Sequence, residues 1–326
     1  MKEHGCFIIS LDFEMMWGGI DCWGVDDYGT THIANVRDVI KKLTCLFDKY
    51  NIHATFATVG LLMNHNKKEA INNIPTLVPS YIDAKKSPFH NNYIGKINEK
   101  EEHLFFAADL IELLKGSSNI EIGTHTYSHY YCWEEGQTIE QFNKDIEMAY
   151  KVAVFNDIEL KSIIFPRNQV SDEYLNICSR HGILTYRGNP KKYFEDTTNI
   201  FMETYNRASR LLDTYINWGG KTTIPIRLFH KGKVPLNIPA SRMLRPYIKK
   251  LHYLEPLRKR RIKMEMLHAA KNNEIYHLWW HPHNFGSDTD INLSFLEDIL
   301  KYYQECNKLY GMQSYTMNEF YQYINN

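Results

Sequence analysis

The chain has 326 residues, 44% of them hydrophobic, enough to bury a sizeable core as one large α/β domain or as two smaller ones. Lys plus Arg and Asp plus Glu each total 38, so the formal charge is zero and no global field recruits nucleic acid or an anionic membrane. Residues Met1 to Gly5 carry no apolar signal region, and the six cysteines (Cys6, Cys22, Cys45, Cys132, Cys178 and Cys306) form no C-x-x-C pairs, a pattern that suits reduced thiols in a cytoplasmic protein.

In chain order, residues 6–13 (CFIISLDF) read as a buried strand, and 33–50 place Val36, Ile40, Leu43 and Phe47 at helical spacing. A strand at 53–60 (HATFATVG) follows at once, so the chain opens as a βαβ unit and a parallel sheet covered by helices is expected. Residues 61–100, with Pro75, Pro79, Pro88 and several asparagines, read as an irregular insertion. The alternation resumes with a helix at 103–115, a strand at 119–123, a helix at 138–155, a strand at 161–166, a helix at 171–181 and a strand at 183–187. Residues 188–265 read as a second irregular insertion holding a helix near 206–216. A strand then begins the stretch 274–285 (EIYHLWWHPHNF), and helices at 291–309 and 316–324 close the chain. No window approaches the roughly 20 consecutive apolar residues of a membrane-spanning helix. Repeated βα units predict a barrel or a doubly wound sheet.

In either architecture, reactive side chains gather at the carboxyl ends of strands. Four stretches put polar residues there. Asp12 and Glu14 point to the same side of the first strand, roughly 7 Å apart along the chain. Like charges this close raise each other's pKa unless a cation lies near them, although one acid could instead cap the following turn while the other is solvated. His125 and His129 stand four apart after a strand, and one turn of helix would bring both imidazoles to one metal ion. With 15 histidines in the chain such a spacing also arises by chance, as it does for His277 and His281. The strand in IIFPRNQ (163–169) runs out into Arg167, whose guanidinium could orient a carboxylate through bidentate bonds or make a surface ion pair. Finally, YHLWWHPHNFG (276–286) ends in His281, Pro282 and His283. Here Trp279 and Trp280 read as core or sugar-stacking walls and His281 as a candidate general acid. Together these are the parts of a metal-assisted amide hydrolase.

By motif and order, from residue 7 to residue 286, the chain resembles the polysaccharide deacetylases of the NodB-homology type (carbohydrate esterase family four). The resemblance implies an α/β fold, a distorted (β/α) barrel of about seven strands, here as a single catalytic domain over 1–326. SLDFE (10–14) fills the family's first motif and makes Asp12 the base and Glu14 a metal ligand, although most members have two adjacent aspartates. ATFATVG (54–60) matches the second strand, and His125 to His129 match H-[ST]-x-x-H without change, which makes both histidines ligands. Leu278 to His281 match Leu-x-x-His and make His281 the acid. Arg167 lies where the family has Arg-Pro-Pro-Tyr and is expected to orient the base, with Asn168 beside it and Trp17 and Trp279 as walls for substrate. The family's Asp-Trp motif has no equivalent; TYRGNP (185–190) occupies its place.

The function implied is removal of an N-acetyl group from a sugar of a glycan or glycan precursor, as in a cell-surface polysaccharide pathway. Zinc is the default ion, and an O,N,N donor set also suits cobalt, nickel, manganese or iron. A deformylase or other linear C–N amide hydrolase of the same superfamily, or an inactive carbohydrate-binding relative, would carry much the same residues. The basic run 242–263 sets nine lysines and arginines against Glu255 and reads as a contact for phosphate groups or an anionic membrane, or else as a solvated helical face. A single such run does not make a nucleic-acid surface.

Overall fold

The strand Cys6–Phe13 (β1) is buried along its whole length, and its nearly continuous apolar run is what a parallel strand covered on both faces requires. The computed structural model describes residues 3–190 and 203–326; the part of the expected second insertion at 191–202 lies outside them. After β1 come α1 (Val36–Tyr50), β2 (Ala54–Thr58), α2 (Lys67–Asn72), α3 (Tyr93–Lys96), α4 (Ala108–Lys115) and β3 (Ile120–Thr124). Then follow α5 (Ile139–Phe155), β4 (Ser162–Ile163), α6 (Asp172–Arg180), β5 (Thr185–Tyr186), α7 (Glu203–Tyr215), β6 (Ile224–Pro225), β7 (Leu236–Asn237) and β8 (Arg242–Met243). The chain closes with α8 (Glu255–Asn272), β9 (Glu274–Trp280), α9 (Thr289–Tyr310), β10 (Gln313–Tyr315) and α10 (Met317–Asn325).

The sheet runs β6-β9-β1-β2-β3-β4-β5-β7, with every adjacent pair parallel except β6 and β9. Its two ends meet through one stretch of chain. Leu236 N–H donates to Leu184 O at 2.7 Å, Ile238 to Tyr186 and Ala240 to Gly188 at 2.9 Å; then Ser241 donates to His277 O at 2.8 Å and Leu244 to Trp279 O at 2.7 Å. Residues 236–244 thus bond to β5 with their first half and to β9 with their second. This closes the expected distorted barrel, whose seven parallel positions are β9, β1, β2, β3, β4, β5 and the shared stretch.

The second "insertion" therefore contains a barrel strand. Its ladders are only two residues long on each side, and Pro235 and Pro239 remove two donors, so no alternation of apolar and polar residues marks it. Elsewhere the periodic segments form as expected. The helix predicted at 138–155 starts on a capping box in which Thr138 and Gln141 satisfy each other's backbone N–H groups. The stretch 61–100 contributes α2, α3 and short turns but no strand.

The basic run is not a cationic face. Arg242 donates to Asp213 Oδ2 at 3.0 Å and to Glu265 Oε2 at 3.1 Å, and Arg261 meets Glu265 Oε1 at 2.8 Å; all four side chains are buried. Arg258 is buried too, pairs with Glu255 and covers the Phe295 ring at 3.8 Å, while Lys259 pairs with Asp298. These contacts tie α7, α8 and α9 to the closing strand. The acids that neutralise the run, Asp213, Glu265 and Asp298, lie outside it in sequence, which is why spacing alone suggested a free positive surface. Lys249, Lys250 and Arg260 remain exposed.

Candidate active site

At the carboxyl end of the barrel, β1 delivers Asp12 and Glu14 side by side, 3% and 4% exposed. Burial alone would keep such a pair protonated. Each carboxylate is instead met by its own partners. Arg187, just past β5 and fully buried, donates Nη1 to Asp12 Oδ1 at 2.6 Å and Nη2 to Asp12 Oδ2 at 2.7 Å, a bidentate fork. The same guanidinium donates to Ser10 Oγ and Asn168 Oδ1, both at 3.1 Å, and lies over the Trp279 ring at 4.1 Å. Burial pushes the Asp12 carboxyl up, but Arg187 and the neighbouring imidazoles of His281 and His125 more than reverse this and hold it below its ordinary value.

Glu14 faces histidines. Its Oε2 is 2.8 Å from His129 Nε2 and 3.5 Å from His125 Nε2, while its Oε1 is 3.3 Å from His281 Nε2. Here too burial opposes ionisation, yet His281, His129 and the hydrogen bonds from the two loop histidines hold the carboxyl well below the carboxylate range. Burial pushes the His129 imidazole down from its ordinary value against the pull of Glu14. Gly18 packs directly on this carboxyl, where a Cβ would overlap it.

His125 and His129 converge, with ring centroids 5.0 Å apart, but not on a helical turn. The loop after β3 is irregular, and Thr126 and His129 adopt positive φ of 65° and 58°. Asp145 on α5 holds that loop: its carboxylate accepts from Tyr127 N at 2.7 Å, from Ser128 N at 3.1 Å and from the Ser128 hydroxyl. Tyr130 N donates to Thr126 Oγ1 at 2.7 Å. Burial pushes the Asp145 carboxyl up to about 6 even against these three donors.

His281 lies on the open side of the cleft with its side chain 21% exposed, and its Nε2 is 3.6 Å from Asp12 Oδ2. His283 stacks beside it at 4.9 Å, almost fully buried against Trp23, and burial lowers its pKa to about 3. The cleft above these groups, about 370 Å³, is lined further by Trp23, Tyr28, Arg167, Asn168, Met243 and Trp279. A second hollow of about 270 Å³ adjoins it across Arg167, Asn168, Met243 and Trp279 and has Trp133, half exposed, on its wall.

Eight of the nine residues expected at the site surround this cleft or reach its rim, and one does not. Trp17 is buried, with Nε1 donating to Phe105 O at 2.6 Å and its ring against Phe105 and Phe106; Trp23 and Tyr28 take the aromatic place instead. Arg167 is at the rim but does not orient Asp12. It and Asn168 both take positive φ after β4, a turn that aims Asn168 at Arg187 and swings Arg167 outward onto the Tyr131 ring, where it pairs with Asp21 at 3.0 Å and Glu134 at 3.2 Å.

Arg187 carries in sequence the same mark as Arg167, a cation just after a short strand. For Asp145 the mark is an acid in line with Phe142, Ile146, Ala149 and Val152 on the buried stripe of a helix. His277, four before His281, is wholly buried below the cleft, bonding Ser10 Oγ at 2.8 Å and Ile238 O at 3.2 Å. Burial, then the Arg187 charge, lowers its pKa from 6.5 to about 3. The folded value lies below the unfolded one, so its contribution to stability is complete above pH 6.5 and is lost as pH falls towards 3. Between pH 6 and 4 the urea-unfolding free energy of the wild type should fall more steeply than that of His277→Gln, by about 1.4 kcal/mol per pH unit. Equal slopes would mean that His277 titrates normally.

The three atoms Glu14 Oε2, His125 Nε2 and His129 Nε2 fit a metal ion. The three residues present donor atoms within 4.8 Å of one another, and the carboxylate is held ionised, the form that binds a cation. No helix among the described residues is long and apolar enough to cross a membrane.

Comparison with solved structures finds the same fold in several proteins. A Mycobacterium smegmatis protein assigned to the polysaccharide deacetylases superposes with a TM-score of 0.58 at 10% identity, over 99% of this chain and 91% of that one. Puue allantoinase and a Pseudomonas aeruginosa protein assigned to the polysaccharide deacetylases each give 0.54 at 10% identity, over 97% of this chain and 89% of theirs. No curated protein shows significant sequence similarity to the chain. The polysaccharide deacetylase family matches residues 25–186, about half of the sequence, from the turn after β1 to the end of β5. With that match, the barrel and the shared fold, the chain belongs to the polysaccharide deacetylase family.

Proposed function

We propose that the protein is a metal-dependent hydrolase that removes an N-acetyl group from an amino sugar of a glycan or glycan precursor. The observation that carries this is the convergence of Glu14, His125 and His129 beside a carboxylate, Asp12, that is locked in its ionised form by Arg187. A divalent ion held by Glu14, His125 and His129, zinc or another first-row metal, supplies Lewis acidity towards a carbonyl oxygen and makes water more acidic. Asp12 accepts the proton of the attacking water, and its orientation is fixed because both oxygens are bound to one planar guanidinium. His281, with Nε2 facing the cleft between the two acids, protonates the departing sugar amine. Trp279, Trp23 and Asn168 form walls for the sugar ring, and Asp145 keeps the histidine loop in its bent form. The six free cysteines support a reducing compartment, hence the cytoplasm, as the place of action.

The test is a panel of N-acetylated and N-formylated amino sugars, free, nucleotide-linked and lipid-linked, incubated with protein loaded with one equivalent of metal, with acetate, formate and free amine measured. Acetate with a stoichiometric free amine is the expected result. Formate alone would make the protein a deformylase, and tight sugar binding with no product would make it a binding protein.

A further inference from the structure

The Glu14 carboxylate has two faces, and only one is used by the reading above. Oε2 faces His125 and His129; Oε1 faces His281 Nε2 at 3.3 Å and His283 Nδ1 at 3.9 Å. Donor atoms of Glu14, His281 and His283 lie within 4.8 Å of one another, as do those of Glu14, His125 and His129, though the nitrogens of the second group stand further from the carboxylate. His283 is 4% exposed, and its Nδ1, turned towards Glu14, has no hydrogen-bond partner among the described residues. Its ring is clamped at that angle by Trp23, edge-on at 4.9 Å, and by Tyr28 at 5.8 Å. A buried nitrogen held in place and left without a partner, beside a carboxylate oxygen and a second imidazole, is the arrangement of a ligand set rather than of packing.

We infer that Glu14 Oε1, His281 Nε2 and His283 Nδ1 form a second, weaker divalent-cation site that silences the enzyme when filled. This rests on the proposed function for its consequence, not for its existence. A cation there takes the His281 nitrogen that would otherwise protonate the leaving amine, so the protein is active with one ion and inactive with two. The second site is the weaker because it shares its carboxylate with the first, because a bound cation repels another nearby, and because His281 is open to water. Carboxylate-bridged pairs of ions a few ångströms apart are common in hydrolases, so no unusual coordination is required.

The full-length protein, stripped with a chelator and titrated with Zn²⁺ or Co²⁺, should bind two equivalents by equilibrium dialysis and elemental analysis, the second at free metal at least about tenfold higher. His283→Phe, which keeps a ring against Trp23 and Tyr28, should bind one. Acetate release by the wild type should decline as the second equivalent binds, while His283→Phe stays at its plateau; His283→Leu serves if the Phe variant melts early. A single equivalent in the wild type, or two in both variants, would overturn the second site. One equivalent with acetate release removes this inference and leaves the proposed function standing, whereas two equivalents bound with no product from any sugar at any loading, the first equivalent included, leaves the second site standing and removes the proposed function.

Discussion

Arg187→Met should lower kcat by about 10²–10⁴-fold with KM little changed, because the loss falls on the proton-transfer step rather than on sugar binding. The guanidinium is wholly buried and makes both strong hydrogen bonds to Asp12. Without it the Asp12 carboxylate would sit desolvated and uncompensated, a situation that costs about 3–5 kcal/mol when one partner of a buried pair is removed. Part of that cost would appear as a lower melting temperature and part would be escaped by protonation of Asp12, which ends its service as a base. Arg187→Lys separates positioning from folding. Lysine restores the charge but not the planar fork, so stability should recover more than kcat does. Wild-type turnover in Arg187→Met would show that Asp12 does not depend on the guanidinium.

Asp12→Asn should keep the full complement of tightly bound metal and lose turnover by about 10²–10⁴-fold, the usual worth of a general base. Glu14→Gln should lose both. The two acids have distinct surroundings: Asp12 lies between Arg187 and His281, and Glu14 between the two histidine pairs. Elemental analysis of both variants beside the wild type decides the assignment. Metal lost from Asp12→Asn and retained by Glu14→Gln would reverse the two roles.

Much of this site could be read from the sequence because its parts end long or strongly patterned strands. Asp12 and Glu14 close an eight-residue buried run, His281 closes a seven-residue one, and His125 and His129 follow a strand at a spacing that survives an irregular loop. The first pair of acids looks like a repulsive fault in the strand, and its cause lies in residues 111 to 269 positions further on, from His125 for Glu14 to His281 for Asp12. What stayed hidden depends on contacts between distant segments. Arg187 ends a strand of two residues, too short to show a period, and the basic run looked exposed because its acids come from α7, α8 and α9. The closing strand 236–244 escaped for the same reason, since each half pairs with a different neighbour for only two residues. Trp17 failed in the opposite way: proximity to Glu14 in sequence suggested the cleft, but the turn Met15–Gly19 drives its ring into the core.

The proposed hydrolysis requires one metal ion on Glu14, His125 and His129. The direct measurement is acetate release from the best N-acetyl sugar against bound metal, for wild type and His125→Ala, after chelation and stepwise reconstitution. Activity should be absent from the stripped protein, should rise in proportion to the first equivalent, and should not return in His125→Ala at the same free metal. Full turnover by the stripped protein, or by His125→Ala without bound metal, would show that hydrolysis does not depend on this ion.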